Sequence, residues 1–329
     1  MIIAVSGLHR GDNPQPGPSV IASIRRRYPE ARIIGLSYDP LESGLFSTGH
    51  DRVDAAYLMP LPGKGARALA QRLQAIGPID MIVPCLDLEI PNYLELNDRR
   101  TVLPSKAAFA RRAKDNLSRL RVAGIKVPPT VKASDLEETY QACNRIGYPV
   151  FLKGAAYGAA KAAGPSEVAP LYHGLVTAWG GPIVVQGEAQ GEEEYDVVGL
   201  GDGKGGLIGA CSIRKLMKTP NGKAFGGITI DDPRLWTLVK RITKALRWRG
   251  PFELEFVHGR NGYELIEINP RFPAWVDFPS QLGSNLPGRL VDLFVADYTT
   301  PAPKVPAGKL FIRHCTDLIG DLTDIAEMT

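Results

Sequence analysis

The segment GPFELEFVHGRNGYELIEINPRF, residues 250–272, alternates apolar and polar side chains on both sides of a glycine-bounded turn. Phe252–Val257 and Tyr263–Ile268 are the alternating runs, and Gly259 and Gly262 flank the turn, which predicts a β-hairpin. Period-two geometry puts Phe252, Leu254 and Phe256 on one face and Glu253 and Glu255 on the other. On the second strand Glu267 and Asn269 share a face, and pairing centred on Asn261 sets Glu255 directly across from Glu267. Facing carboxylates repel and weaken a strand pair unless something neutralises them. A divalent cation would do so. Two carboxylates and an asparagine carbonyl are hard oxygen ligands suited to Mg²⁺, which bridges to substrate phosphates. Arg271 would then sit beside the metal and stabilise developing phosphate or oxyanion charge. The competing reading is a solvent-facing strand with ordinary surface glutamates.

Outward from the hairpin, the chain of 329 residues is long enough for about two domains of ~150 residues. With 44% hydrophobic and 22% charged residues it is not a disordered chain. The 35 glycines and 27 prolines exceed the usual share, pointing to tight turns and closely approached loops. A net charge of +4 is too small to indicate nucleic acid. Cys85, Cys143, Cys211 and Cys315 are far apart, which argues against a zinc site or a disulfide framework. No stretch approaches the ~18 apolar residues of a membrane span, and the opening MIIAVSG is too short for a leader. A soluble, cytoplasmic protein with no membrane partner is the expectation.

Residues 1–105 alternate strand and helix. Ile2–Val5, Ile33–Leu36 and Met81–Val83 are strands, with helices over Val20–Tyr28 and around Leu69, Leu73 and Ile76. This order predicts a parallel α/β sheet of doubly wound type. Gly7, Gly11 and Gly17 do not make GxGxxG, so a dinucleotide site bounded by Asp39 is disfavoured. Residues 106–126 read as one basic helix ending at Gly124, followed by a helix over Leu136–Ile146 and a strand over Pro149–Lys153. Residues 183–202 read as two strands joined by an acidic link. Asp232-Pro233 starts a helix that presents Leu235, Leu238, Val239, Ile242 and Leu246 on one face and ends at Gly250.

Glu255, followed twelve residues later by Glu267-Ile268-Asn269-Pro270-Arg271, resembles the metal-binding hairpin of the ATP-grasp superfamily. The branch it is most similar to contains the carbamoyl phosphate synthetase large chain and biotin carboxylase. The resemblance implies a fold in three parts: a pre-ATP-grasp α/β domain (1–105), a small ATP-grasp subdomain or lid (106–185) and a large subdomain with the hairpin (186–329). It implies that Glu255, Glu267 and Asn269 hold Mg²⁺ (or Mn²⁺) and that Arg271 contacts the transferring phosphate or an acyl phosphate. Lys153 becomes an ATP-phosphate lysine, followed by a glycine-containing loop, Gly154–Gly158, that differs from relatives in its alanines. Lys114 becomes the second phosphate cation, with Arg111 and Arg112 as alternatives. Gln186, Glu188 and Ala189 fall in the adenine hinge, and Glu194 resembles the ribose-binding acid, with Glu193 competing. Arg214, Lys215 and Lys223 are candidates for phosphate or anionic-substrate contact. Trp275 and Asp277 sit where an acceptor pocket would begin, although Trp275 also suits the core.

The activity implied is that of an ATP-dependent carboxylate–amine ligase, using ATP and Mg²⁺ to make an acyl phosphate that an amine captures. Its substrates would be small carboxylates and amines, among them amino acids or a peptide, and a homodimer is an open expectation. The alternatives are an ATP-grasp kinase that releases a phosphorylated product, or a catalytically silent nucleotide-binding regulator. The basic residues cluster in two stretches, 106–130 with seven Lys/Arg and one acid, and 211–230 with four and none. The implied fold would bring both to the triphosphate end.

Overall fold

Short apolar runs alternating with amphipathic helices build a parallel sheet at the start of the chain. The computed structural model describes residues 1–11, 13–154, 158–321 and 323. Strands β1 (Ile2–Ser6), β2 (Arg32–Ser37), β3 (Ala55–Leu58) and β4 (Met81–Val83) lie in the order β3-β2-β1-β4. Helices Gly17–Arg27 and Gly65–Ile76 connect them. β3 has no sequence signal, because Ala55-Ala56-Tyr57-Leu58 neither alternates nor becomes fully buried. β1 pairs with β2 on one side and β4 on the other, so the chain order reverses there. The crevice beyond the carboxyl ends of β1 and β4 is a topological switch point, the usual ligand position in such sheets.

The basic stretch does not form the single helix expected of it. An α-helix runs only from Lys106 to Arg111, capped by Ser105, whose Oγ accepts from the Ala108 N–H at 3.1 Å. Ala113 is extended (ψ 140°), and Lys114–Ala123 continues as a 3₁₀ stretch. Asp115, Asn116 and Ser118 compete with the backbone for hydrogen bonds and weaken a helix interior. Asn116 does so here, donating from Nδ2 to the Ala110 carbonyl at 3.1 Å.

Beyond it lies a four-stranded antiparallel sheet of β5 (Thr130–Ala133), β6 (Val150–Lys153), β7 (Ala159–Ala162) and β8 (Ile183–Gly187), ordered β5-β8-β6-β7. The helix over Leu136–Ile146, as the spacing predicts, packs on it with helix Val168–Trp179. The remaining strands are β9 (Glu193–Asp202), β10 (Leu207–Lys218), β11 (Ala224–Thr229), β12 (Arg249–Gly259), β13 (Gly262–Asn269) and β14 (Leu310–Ile312). Their order is β13-β12-β9-β10-β11-β14.

Each face of this large sheet has its own core. One face takes the helix Pro233–Leu246, whose Leu235, Val239, Ile242 and Leu246 pack on Phe252, Leu254 and Phe256. Asp232 caps that helix as expected, accepting from the Arg234 N–H at 2.8 Å. It ends at Arg247, in the left-handed region (φ 46°), and not at Gly250, which already belongs to β12. On the other face Val198, Leu200, Phe272 and Trp275 join one core with Val5, Ile21 and Ile24 of the first domain. At ~1.5–3 kcal/mol for each large buried side chain, this shared core fixes the hairpin relative to the switch-point crevice. Ion pairs Arg26–Asp277 (3.2 Å) and Arg27–Asp292 (2.8 Å) rim it. Trp275 is therefore core, and Asp277 is spent on the first-domain helix.

Candidate functional site

In the hairpin Glu255 pairs with Glu267 and Glu253 with Asn269, the register expected from the alternation. The turn itself has only two residues, Arg260 and Asn261, between the paired Gly259 and Gly262. A two-residue turn centres half a residue away from Asn261. The mismatch is absorbed by a β-bulge: Phe256 faces Leu265 while Glu255 faces Glu267, leaving Ile266 as the extra residue. Leu265 and Ile268, three positions apart, consequently both reach the core (0% and 1% exposed). The link between β8 and β9 lies close on the hairpin tip, where a Cβ at Gly259 would stand 1.5 Å from the Gln190 carbonyl.

The acid pair is met by lysines from three elements. Lys153, the last residue of β6, is buried, and Lys114 places Nζ 3.2 Å from Glu267 Oε1. Burial would raise the Glu267 carboxyl, but Lys114 and Lys153 outweigh it and hold it at about 2. Burial lowers the Lys153 ammonium, and Glu267 only partly restores it against the repulsion of Lys114. On the other side Lys215, whose side chain is 2% exposed, has Nζ 3.0 Å from Glu255, 3.1 Å from Asp196 and 3.3 Å from Glu194. Burial would lower this ammonium, yet Asp196, Glu255 and Glu194 together drive it well above its ordinary value. Asn269 donates from Nδ2 to Glu255 at 3.0 Å and to Glu253 at 3.1 Å.

Arg271 bridges the parallel sheet and the large sheet. Its Nε lies 2.8 Å from Asp87 and its Nη1 3.1 Å from Glu253, which also accepts from Trp275 Nε1 at 3.2 Å. Asp87 follows β4 on a turn braced by the buried Glu89, which accepts from the Cys85 and Leu86 N–H groups, each at 2.9 Å. Burial pushes the Glu89 carboxyl up despite donors from Ser6 and Tyr38. Sequence reasoning missed Asp87 as a site residue. The only signal was its place after a β-strand of the doubly wound sheet, a position that carries ligand contacts in such folds. Asp87→Ala should leave Arg271 misaligned and cut turnover about 10- to 100-fold with the KM for ATP unchanged. Steady-state kinetics that show a rise in ATP KM alone would contradict that role.

The remaining sequence candidates are spread around this cluster. Gln186 is buried and donates to Thr130 at 3.2 Å, Glu188 pairs with Lys161 at 2.6 Å, and Ala189 is buried. Glu194 also holds Lys218 at 2.5 Å, while Arg214 is turned to Glu193 at 2.7 Å. A cavity of about 720 Å³ opens beside the end of β8, lined among others by Pro128, Tyr148, Gly187, Glu188 and Glu264. The lysine–glutamate cluster does not line it. Of the loop after Lys153, residues 155–157 lie outside the described residues. Of the two basic stretches, Lys114 and Lys215 reach the hairpin acids. Arg121 and Lys126 instead bond the Val127 and Asn261 carbonyls.

Among the described residues no three His, Cys, Asp or Glu side chains converge as a complete metal shell. Glu255, Glu267 and the Asn269 carbonyl oxygen are nevertheless all hard donors on one strand face, the kind of partial shell that Mg²⁺ completes with phosphate oxygens and water. The donor set therefore fits the ion.

No family model matches the chain. It is 22% identical over 294 residues to the carbamoyl phosphate synthase large chain of Thermotoga sp. strain RQ2, matching 80% of this chain and 26% of that one. The chain thus spans about a quarter of the length of that curated relative. Among solved structures, the biotin carboxylase domain of Hydrogenobacter thermophilus 2-oxoglutarate carboxylase, a dimer with MgADP and bicarbonate, superposes with a TM-score of 0.68 at 18% identity, covering 91% of this chain and 71% of that one. An L-amino acid ligase from Bacillus licheniformis superposes with a TM-score of 0.66 at 15% identity, covering 90% and 74%. These superpositions, each over at least 90% of the chain, show that it shares the fold of these proteins.

Proposed function

We propose that the chain is an ATP-dependent carboxylate–amine ligase, forming an acyl phosphate from ATP and a carboxylic acid and passing the acyl group to an amine with release of ADP and phosphate. The observation that carries this reading is the convergence of Lys114 and Lys153 on Glu267, across the hairpin from Glu255, with Arg271 anchored beside them. Lys114 and Lys153 orient the nucleotide phosphates, which compete with Glu267 for the two ammonium groups. Glu255, Glu267 and Asn269 would hold Mg²⁺, which supplies charge neutralisation to the phosphates. Arg271, fixed by Asp87 and Glu253, faces the charge that builds on the transferring group. Positioning and electrostatics of this kind are most of what phosphoryl transfer requires. The L-amino acid named for the ligase and the bicarbonate of the biotin carboxylase domain support the substrate class, and the MgADP of that domain supports the cofactor.

The test is ADP release from the purified chain with MgATP over paired carboxylates and amino compounds. ADP formation that needs both an acid and an amine is the expected result. Release without dependence on an amine would point to a kinase, and ATP binding with no release under any pair would leave a silent nucleotide-binding protein.

A further inference from the structure

Two half-buried cations beside the site have no acid partner among the described residues. Lys223 follows a tight turn, closed by the Gly222 N–H donating to the Thr219 carbonyl at 2.9 Å and fastened by Lys215, which donates to the Gly222 carbonyl at 3.1 Å. From there its ammonium crosses to the first domain and donates to the Pro14 carbonyl at 3.2 Å. Arg313, just past β14, donates from Nη2 to the Ala274 carbonyl at 2.7 Å, while its Nε is buried with no hydrogen-bond partner. That same carbonyl accepts from Ser19 of the first domain. Neither cation forms an ion pair among the described residues.

Other charges nearby do not remedy this. Around Lys223 stand Arg271, Glu253, Asp87 and Glu255, and the two acids closest to Arg271 are spent on it at 2.8 and 3.1 Å. Burial, reinforced by Arg271, lowers the Lys223 ammonium to about 8 against the pull of Glu253 and Asp87. Beside Arg313 stands Arg10, which is itself held by Asp51 at 3.1 Å. A cation partly withdrawn from water without a counter-ion is stabilised by a bound anion, and the buried Arg313 Nε lacks any acceptor. Pro14 and Arg10 belong to the loop after β1, and Asp87 to the loop after β4. Lys223 and Arg313 therefore stand, with Arg271, where the loops after β1 and β4 meet the large sheet.

We propose that the acid presented to Arg271 carries a second anionic group, a carboxylate or a phosphate, and that Lys223 and Arg313 receive it in the crevice between the first domain and the large sheet. The assignment rests on the ligase reading only for the fate of the first carboxylate.

Thermal-shift titration of the full chain tests it with three probes: butyrate with one charge, succinate with two carboxylates, and 3-phosphoglycerate with a carboxylate and a phosphate. Succinate or 3-phosphoglycerate should bind at least about tenfold more tightly than butyrate, and which of the two leads identifies the second group. Lys223→Met and Arg313→Met should each erase most of that preference and leave butyrate binding unchanged. Should either variant fail to fold, Lys223→Gln and Arg313→Gln make the same comparison. A preference under about tenfold in the unmodified chain, or one that survives both substitutions, overturns the proposal. Selective binding of a doubly charged acid with no ADP release on adding MgATP and amines would retain the second-anion site and remove the ligase reading.

Discussion

Glu267→Gln is expected to reduce ADP release by on the order of 10³-fold, the scale on which loss of one preorganised electrostatic partner is felt in a site of this type. The amide matches the carboxylate in shape, so the strand and its bulge should persist. What disappears is the charge shared by Lys114 and Lys153, which would face each other across a neutral group, and the metal-ligating oxygen opposite Glu255. The substitution also changes the acid stability of the protein in a direction that can be stated. The Glu267 carboxyl is held at about 2, below its ordinary 4.5, so its contribution to stability is fully present above pH 4.5 and is lost as pH falls toward 2. Urea denaturation should therefore show the two proteins converging between those values, with the unmodified chain ahead at neutral pH. Full activity in the variant would end the metal assignment, and identical pH–stability curves would show that Lys114 and Lys153 do not act on this carboxyl.

Lys215→Met should destabilise the fold by about 3–5 kcal/mol, because it breaks a buried ionic group by removing one side and leaves the rest in place. Glu194, Asp196 and Glu255 approach the ammonium from β9 and β12, two adjacent strands, and without it they would repel across the sheet. Since the lysine is raised above its ordinary value, the unmodified protein keeps this contribution at all pH below about 10.5 and loses it only as pH rises through the folded value. The variant's deficit should shrink in mild acid, where Asp196, whose carboxyl is pushed well up by burial, takes up a proton and the repulsion falls. Equilibrium denaturation at pH 7.5 and 5 reads this out. A deficit under about 1 kcal/mol, the scale of an exposed ion pair, would mean that the cluster is open to water.

The contrast between these two residues shows what was legible beforehand. The hairpin acids, Asn269 and Arg271 were readable because chemistry and alternation coincide over a short stretch, and the α/β class of the first domain followed from apolar runs of strand length. Lys215 was readable as a cation of the basic loop, but its three acid partners lie on β9 and β12, and sequence spacing does not encode cross-strand neighbours. Asp87 was hidden for the same reason, since its partner Arg271 lies on another domain. The break at Ala113 in the basic helix was encoded, in the run Asp115-Asn116, yet a charge count over 106–126 passes over it. Glu188, read as a hinge residue, is at the cavity, whereas Arg214 is turned away to Glu193 by a contact that no pattern announces.

The bulge at Ile266 means that the interval between the two glutamates contains one residue of slack. Deleting Ile266 would give a regular ladder in which Phe256 still meets Leu265 and Glu255 still meets Glu267, with Ile268 still inside. Homologous chains could therefore shorten the interval from twelve residues to eleven with the same side chains meeting in space. A search pattern written with a rigid interval would divide such proteins into unrelated groups, whereas one written as two facing acids with a single optional position between the inner strand residues would keep them together.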